Sequence, residues 1–170
     1  MTYAGPGASI FRYCSSLERI TGHITIGNSN SYMFGNMSSK FRLNKTYSQI
    51  PTATNVKNLN PELKLTISSS TTSLSSTFAN NNGINLHDMY YVCANIPTTL
   101  TSLSGTFSIT NLQGQESTNE QVSSTFLSHA TGLINTSNAF SGAGLKGPFP
   151  NNVLQNLTNL QNVSNMFTYN

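Results

Sequence analysis

A four-residue pattern, Ser-x-x-Phe, constrains the fold of this chain more than any other feature of its sequence. Seven of the nine phenylalanines have a serine three positions earlier. With 24 serines among 170 residues, roughly one such coincidence would arise by chance, so the pattern marks a recurring unit. The phenylalanines concerned are Phe34, Phe41, Phe78, Phe107, Phe126, Phe140 and Phe167. In four copies an apolar residue precedes the serine, namely Leu74, Leu103, Val122 and Val163.

Each Ser-x-x-Phe segment fits two backbone conformations. As one turn of helix, the serine is an N-cap whose hydroxyl accepts an orphan backbone N–H, and the preceding Leu or Val meets the Phe four positions later. As an extended segment, the even spacing also places those two apolar residues on one face. Both alternatives bury an apolar pair and leave the serine to satisfy the backbone.

The spacing of the copies predicts stacked units. Phe78 and Phe107 are 29 positions apart, Phe107 and Phe140 are 33 apart, and Phe140 and Phe167 are 27 apart. Periods of about 20–50 residues are typical of supersecondary units that bury their apolar faces only by stacking. With Phe126 as an extra copy inside the longest interval, we predict a repeat core formed by Phe78, Phe107, Phe126, Phe140 and Phe167.

The composition favours a folded chain in an assembly. The sequence holds 23 Asn, 24 Ser and 21 Thr, but only 8% of its residues are charged. Nine Phe and seven Tyr argue against disorder, and short polar side chains satisfy turns by local hydrogen bonds. So low a charge suits a subunit packed against others better than a free cytosolic enzyme.

The chain is predicted to form one continuous domain with two parts. Residues 1–66 are a basic N-terminal segment, either a divergent repeat or a docking region, and residues 67–170 are the repeat region. Through residue 64, seven Lys or Arg face two Glu; a solvated face is favoured over an acidic partner, and nucleic acid is not expected. Alternating residues predict strands at residues 23–26 and 63–67, and an apolar run predicts a buried strand at residues 89–94.

One cluster of residues has the chemistry of a ligand-binding surface. His87 and Asp88 are the only adjacent histidine–acid pair, and Tyr90 and Tyr91 follow directly. This combination suits a glycan- or peptide-binding surface. The competing interpretation, which we favour, is a polar loop leading into the buried strand.

No catalytic, cofactor or metal site is predicted. The sequence has no G-x-S-x-G nucleophile elbow. A carbohydrate-active enzyme would have Asp88, Glu116 and Glu120 as its only carboxylates in the C-terminal part, and residues 117–120 fit a helix capping box better. Cys14 and Cys93 are 79 positions apart and belong to no CxxC pair, which favours two separate buried thiols over a disulfide or a metal site.

Two segments of the C-terminal part resemble a known repeat family. Residues 157–167 (LTNLQNVSNMF) and 134–140 (INTSNAF), with 144–150 (GLKGPFP) between them, are similar to BspA-like leucine-rich repeats of bacterial surface proteins. The resemblance covers residues 70–170, without the Trp-containing segment common in those repeats. It implies a curved stack of short parallel strands with irregular or short helical returns. It also implies extracellular adhesion and protein–protein contact, and related repeats occur in phage and other virus proteins.

These observations predict a mainly β fold, an irregular leucine-rich-repeat-like solenoid of short parallel strands with turns and short helical segments. The expected function is a non-catalytic structural and recognition module of a virion, in a phage tail or capsid. A bacterial cell-surface adhesin fragment is the alternative. Expected partners are other protein subunits and a host-surface protein or glycan. No membrane insertion is expected, because the chain has neither a secretory signal at its start nor an apolar run of transmembrane length.

Overall fold

The computed structural model describes residues 9–28, 31–43, 62–112, 122–146 and 149–170 of the chain. Within these ranges the regular elements are strand β1 (Gly22–Ile26), strand β2 (Leu63–Ile67) and helix α1 (Leu86–Ala94). Most of the other described residues lie in turns and bends. The prediction of a mainly β solenoid is therefore wrong: the described part of the chain has only two strands and one helix, and no solenoid of strands.

Strands β1 and β2 confirm the predictions at residues 23–26 and 63–67. They pair in parallel, with Gly22 opposite Leu63 and Ile26 opposite Ile67. Both sequences alternate, so that isoleucine and leucine side chains are buried on one face of the pair. On the opposite face the His23 Nε2 atom lies 2.9 Å from the Thr66 hydroxyl oxygen.

Helix α1 occupies the segment predicted as a strand at residues 89–94, so that prediction is wrong. The helix begins at a reciprocal capping box, in which Asn85 accepts the Asp88 N–H and the Asp88 carboxylate accepts the Asn85 N–H. An apolar run alone does not distinguish a buried helix from a buried strand. The helix also provides an acceptor at the edge of β2 that faces away from β1, because the Leu65 N–H donates to the Tyr91 hydroxyl at 3.2 Å.

In the described ranges, six segments share one geometry, which we call the Phe turn. A Phe turn has a residue in the left-handed region, a phenylalanine two positions later, and a second left-handed residue two positions after that. The φ angles of these left-handed residues lie between 51° and 68°. The Phe turns are residues 9–13, 32–36, 76–80, 105–109, 138–142 and 165–169, and each is named below by its phenylalanine.

Successive Phe turns are joined by backbone hydrogen bonds. The N–H of each phenylalanine donates to the carbonyl oxygen of the residue that precedes the next phenylalanine, over 2.8–3.0 Å. The five bonds run from Phe11 to Met33, from Phe34 to Thr77, from Phe78 to Thr106, from Phe107 to Ala139 and from Phe140 to Met166. Because all five have the same direction, each Phe turn directs its N–H groups toward its C-terminal neighbour.

The rings of the six Phe turns form one phenylalanine stack. Neighbouring ring centroids are 5.2–5.6 Å apart and the ring planes are within 20° of parallel, a favourable stacked arrangement. The four inner rings are fully buried, whereas Phe11 and Phe167 at the two ends are partly exposed. The Phe149 ring, which is not part of a Phe turn, packs against the Phe167 ring at 4.3 Å and an angle of 42°. The stack crosses the predicted boundary at residues 66 and 67, since Phe11 and Phe34 lie before it.

Two copies of Ser-x-x-Phe do not form Phe turns. Left-handed residues flank neither Phe41 nor Phe126. Phe41 packs beside Phe34 at 6.2 Å, and Phe126 meets the edge of Phe140 at 5.6 Å and 75°. Of the five rings predicted as a repeat core, the structure therefore places four in the stack and Phe126 beside it. Conversely Phe11 joins the stack although Ala8 stands where the pattern has serine.

Among the described residues, parallel pairing beyond β1 and β2 is limited to isolated positions, which is the physical reason why this part of the chain is not mainly β. From residue 73 onward, Ser73, Ser102, Asn135 and Asn162 make consecutive parallel bridges. The side-chain oxygen of each also accepts the N–H of the serine two positions later, at 2.9–3.3 Å. The residue after that serine adopts the left-handed conformation, so the chain turns before a second residue can pair.

Replacing Phe107 or Phe140 by alanine should lower the free energy of unfolding by about 3–5 kcal/mol each, because each ring is fully buried between two others. Urea denaturation followed by circular dichroism measures the loss. The control Thr158→Ala, at an exposed position, should change it by no more than about 0.5 kcal/mol. Losses below about 1 kcal/mol for both phenylalanine variants would contradict a core role for the stack.

Ile109→Gly should raise the free energy of unfolding by about 0.5–1 kcal/mol, because a left-handed backbone strains a β-branched residue but not glycine. Ile109 has a φ of 51° and is 61% exposed, so little burial is lost. The control Ile134→Gly, at an isoleucine outside the left-handed region, should lower stability instead. Thermal unfolding of both variants tests this, and equal destabilisation would contradict it.

Candidate functional site

The four residues predicted to line a ligand-binding surface all lie on helix α1 and are buried. His87, Asp88, Tyr90 and Tyr91 have exposures between 0% and 9%. The Tyr90 hydroxyl accepts the Ser123 N–H at 2.9 Å, and Asp88 belongs to the capping box. Burial raises the pKa of the Tyr91 hydroxyl, against the smaller opposing effect of the hydrogen bond from the Leu65 N–H. These groups hold α1 against neighbouring segments rather than facing solvent.

Of the three carboxylates that a carbohydrate-active enzyme would use, the structure describes only Asp88. The Asp88 carboxylate is engaged at the start of α1, while Glu116, Glu120 and the capping box predicted at residues 117–120 lie outside the described residues. In the described ranges, no three His, Cys, Asp or Glu side chains are grouped as a metal ion would require.

The two cysteines are separate free thiols, as predicted, but only Cys93 is fully buried and Cys14 is half-buried. Burial raises the pKa of the Cys93 thiol, which keeps it protonated at neutral pH. Since the thiolate is the reactive form, Cys93 is a packing residue rather than a nucleophile.

Two arginines of the basic N-terminal part, Arg12 and Arg42, contact rings and backbone carbonyls of the same chain. The Arg12 guanidinium lies over the rings of Tyr13 and Tyr32, at 4.7 and 4.3 Å from their centroids. Arg42 Nη1 donates to the backbone carbonyls of Ser39 and Phe41 at 2.9 and 2.8 Å. These positive charges therefore stabilise turns of the same chain.

At one end of the stack, the Phe167 turn lacks the contacts that the other Phe turns make with their C-terminal neighbours. Val163 is 48% exposed, whereas Leu74 and Leu103 at the equivalent position are at most 1% exposed. Within the described residues, the N–H groups of Phe167 and Tyr169 donate to no acceptor, although their counterparts in the other Phe turns do. We call Val163 and the Phe167 turn the C-terminal face.

The Phe11 turn leaves the complementary groups open at the other end. Among the residues that the structure describes, no donor reaches the carbonyl oxygens of Ile10 and Arg12. The equivalent carbonyls of the later turns accept the bonds that join them, except in the Phe78 turn, where Asn80 accepts in place of Ala79. Beside Phe11 is a cavity of about 430 Å³, next to the edge strand β1. Its apolar lining is Ile10, Phe11, Ile20, Ile24 and Met33. We call this cavity and the Phe11 turn the N-terminal face.

Comparison with protein-family models, curated proteins and solved structures found no match for this chain. The resemblance to BspA-like repeats therefore stays a prediction from residues 70–170. Where the structure describes the chain, no helix is both long and apolar enough to cross a membrane.

Asn85→Ala should lower the free energy of unfolding by about 1–2 kcal/mol, because it removes the side chain that caps the buried helix α1. Asn82→Ala, at an exposed asparagine three positions earlier, is the matched control and should stay within about 0.5 kcal/mol of the parent chain. Urea denaturation measures both. Equal effects of the two substitutions would mean that the capping box does not hold α1.

Proposed function

We propose that this protein is a non-catalytic structural and recognition module of an exterior surface, and that it binds other protein subunits through the ends of its phenylalanine stack. The observation that carries the proposal is the C-terminal face. There, Val163 is exposed beside backbone N–H groups whose counterparts are all bonded elsewhere in the stack, and the Phe167 ring, which contacts Phe149, is partly exposed. Exposed apolar groups next to unpaired backbone donors form a template for another chain.

The contacts made by the polar side chains support a scaffold rather than a catalyst. Asp88 and Asn85 cap a helix, Tyr90 and Tyr91 bind backbone amides, and Cys93 is buried and protonated. With only 8% charged residues, the chain suits a place inside an assembly, where less of its surface meets water.

The context that we propose is a virion, with the protein as a phage tail or capsid component that contacts neighbouring subunits or the host surface. A bacterial cell-surface adhesin of the BspA-like type is the alternative, supported by the resemblance of residues 134–140 and 157–167 to the repeats of that family. Both contexts use the same exposed ends for protein contact, so they differ in where the protein is found.

Quantitative mass spectrometry of fractions from the source organism tests the proposal. Purified virions, cell envelope and cytosol are compared for peptides of this chain, with a known coat protein and a cytosolic enzyme as markers. Enrichment with the coat protein is the expected result. Enrichment in the cell envelope would support the adhesin instead, and co-fractionation with the cytosolic enzyme would contradict both.

A further inference from the structure

We infer that the C-terminal face of one copy of this chain binds the N-terminal face of a second copy, so that the hydrogen bonds between Phe turns continue from chain to chain. The inference rests on the proposed function and names the partner, a second copy, and the residues that would meet. Three properties of the two faces support it: their backbone groups, their conformations and their apolar surfaces.

The backbone groups of the two faces are complementary. Inside the chain, the N–H of each inner phenylalanine donates to the carbonyl oxygen of the residue before the next phenylalanine. In most Phe turns, the N–H of the last residue also donates to the carbonyl oxygen of the residue after the next phenylalanine. The C-terminal face has the donors of this pattern, the N–H groups of Phe167 and Tyr169. The N-terminal face has the acceptors, the carbonyl oxygens of Ile10 and Arg12. Continuing the pattern pairs Phe167 with Ile10 and Tyr169 with Arg12 of the second copy.

The conformations of the two faces match as well. Ser9 and Tyr13 flank Phe11 at φ angles of 68° and 62°, and Asn165 and Tyr169 flank Phe167 at 54° and 61°. Both segments are thus Phe turns, the shape that already meets its own kind five times in the stack. The contact needs no new geometry, because it repeats an existing one between two chains.

Apolar surface supplies the driving force. Ile10 is 40% exposed on the N-terminal face and Val163 is 48% exposed on the C-terminal face. The Phe11 ring is partly exposed, and the Phe167 ring stays partly exposed although Phe149 packs against it at 4.3 Å. The cavity beside Phe11 offers an apolar surface to an incoming turn. Joining the faces removes these groups from water, which favours association in proportion to the area buried.

A contact between two different faces leaves one of each free, so it does not close on itself. Such heterologous contacts generate rings when the rotation between copies closes and open filaments when it does not. The geometry points to growth by end-to-end addition, in which the average mass increases continuously with concentration.

Analytical ultracentrifugation of the 170-residue chain, of Val163→Glu and of Ile10→Glu tests the inference. The parent chain should increase in average mass as its concentration rises. Each variant should be monomeric over the same range, because a charge then lies at one face. Mixed together, the two variants should form dimers and nothing larger, since Val163→Glu keeps a working N-terminal face and Ile10→Glu keeps a working C-terminal face.

Ile109→Glu is the matched control, because Ile109 is exposed on the side of the stack and not at its ends; it should associate like the parent chain. Unfolding midpoints equal to that of the parent show that the variants are folded. Dissociation by Val163→Glu but not by Ile10→Glu would overturn the inference in favour of pairing between like faces. A parent chain that stays monomeric would overturn it too, while its enrichment in virions would leave the proposed function standing.

Discussion

The bond from the N–H of each inner phenylalanine to the next Phe turn is the contact on which the rest of the structure depends. It sets one turn on another in a fixed register, and that register brings the rings within 5.2–5.6 Å of each other. The separation is somewhat greater than the roughly 4.8 Å between paired strands, as expected for offset rings. Between the turns the chain is free to vary: a parallel strand pair precedes the Phe34 and Phe78 turns, and helix α1 precedes the Phe107 turn.

Short neutral side chains provide the backbone with hydrogen-bond partners that paired strands provide in a sheet. Ser73, Ser102, Asn135 and Asn162 bond the backbone two residues ahead. Asn81 and Asn170, which directly follow Phe turns, donate their side-chain amides to the carbonyls of Phe34 and Phe140 in the preceding turns, at 2.7 and 2.8 Å. Buried backbone groups need such partners. A composition rich in Asn, Ser and Thr and poor in charge is therefore the chemical requirement of this architecture.

The part of the fold that could be predicted from sequence is the part carried by spacing. The Ser-x-x-Phe pattern marks five of the six stacked rings, four of which belong to the predicted repeat core, and alternation predicts β1 and β2. The left-handed turns could not be predicted from the sequence, because Tyr32, Ile109 and Tyr169 adopt a conformation that is more often adopted by Gly or Asn. Phe11 was missed for the same reason: its turn has no serine in the expected place, and only its two left-handed neighbours identify it.

The candidate sites were harder to predict from the sequence than the fold. A histidine, an acid and two tyrosines suggested a binding surface, but a capping box at Asn85 and Asp88 makes the segment a buried helix. That signal was present in the sequence as an Asn-x-x-Asp pattern directly before the apolar run. The open faces had no comparable signal, because exposure of Val163 and of the Phe167 N–H group follows from the packing of turns far apart in the chain. Only the assembled stack shows which turns are covered.

Residue-resolved amide hydrogen exchange by NMR, at a concentration where the chain is monomeric, tests the role of the phenylalanine stack most directly. The amides of Phe34, Phe78, Phe107 and Phe140 should be among the slowest to exchange, because each is bonded to the next turn beneath a buried ring. The Phe167 amide should exchange much faster. Rapid exchange at all four inner phenylalanines, or equal protection of Phe167 in the monomer, would contradict the account.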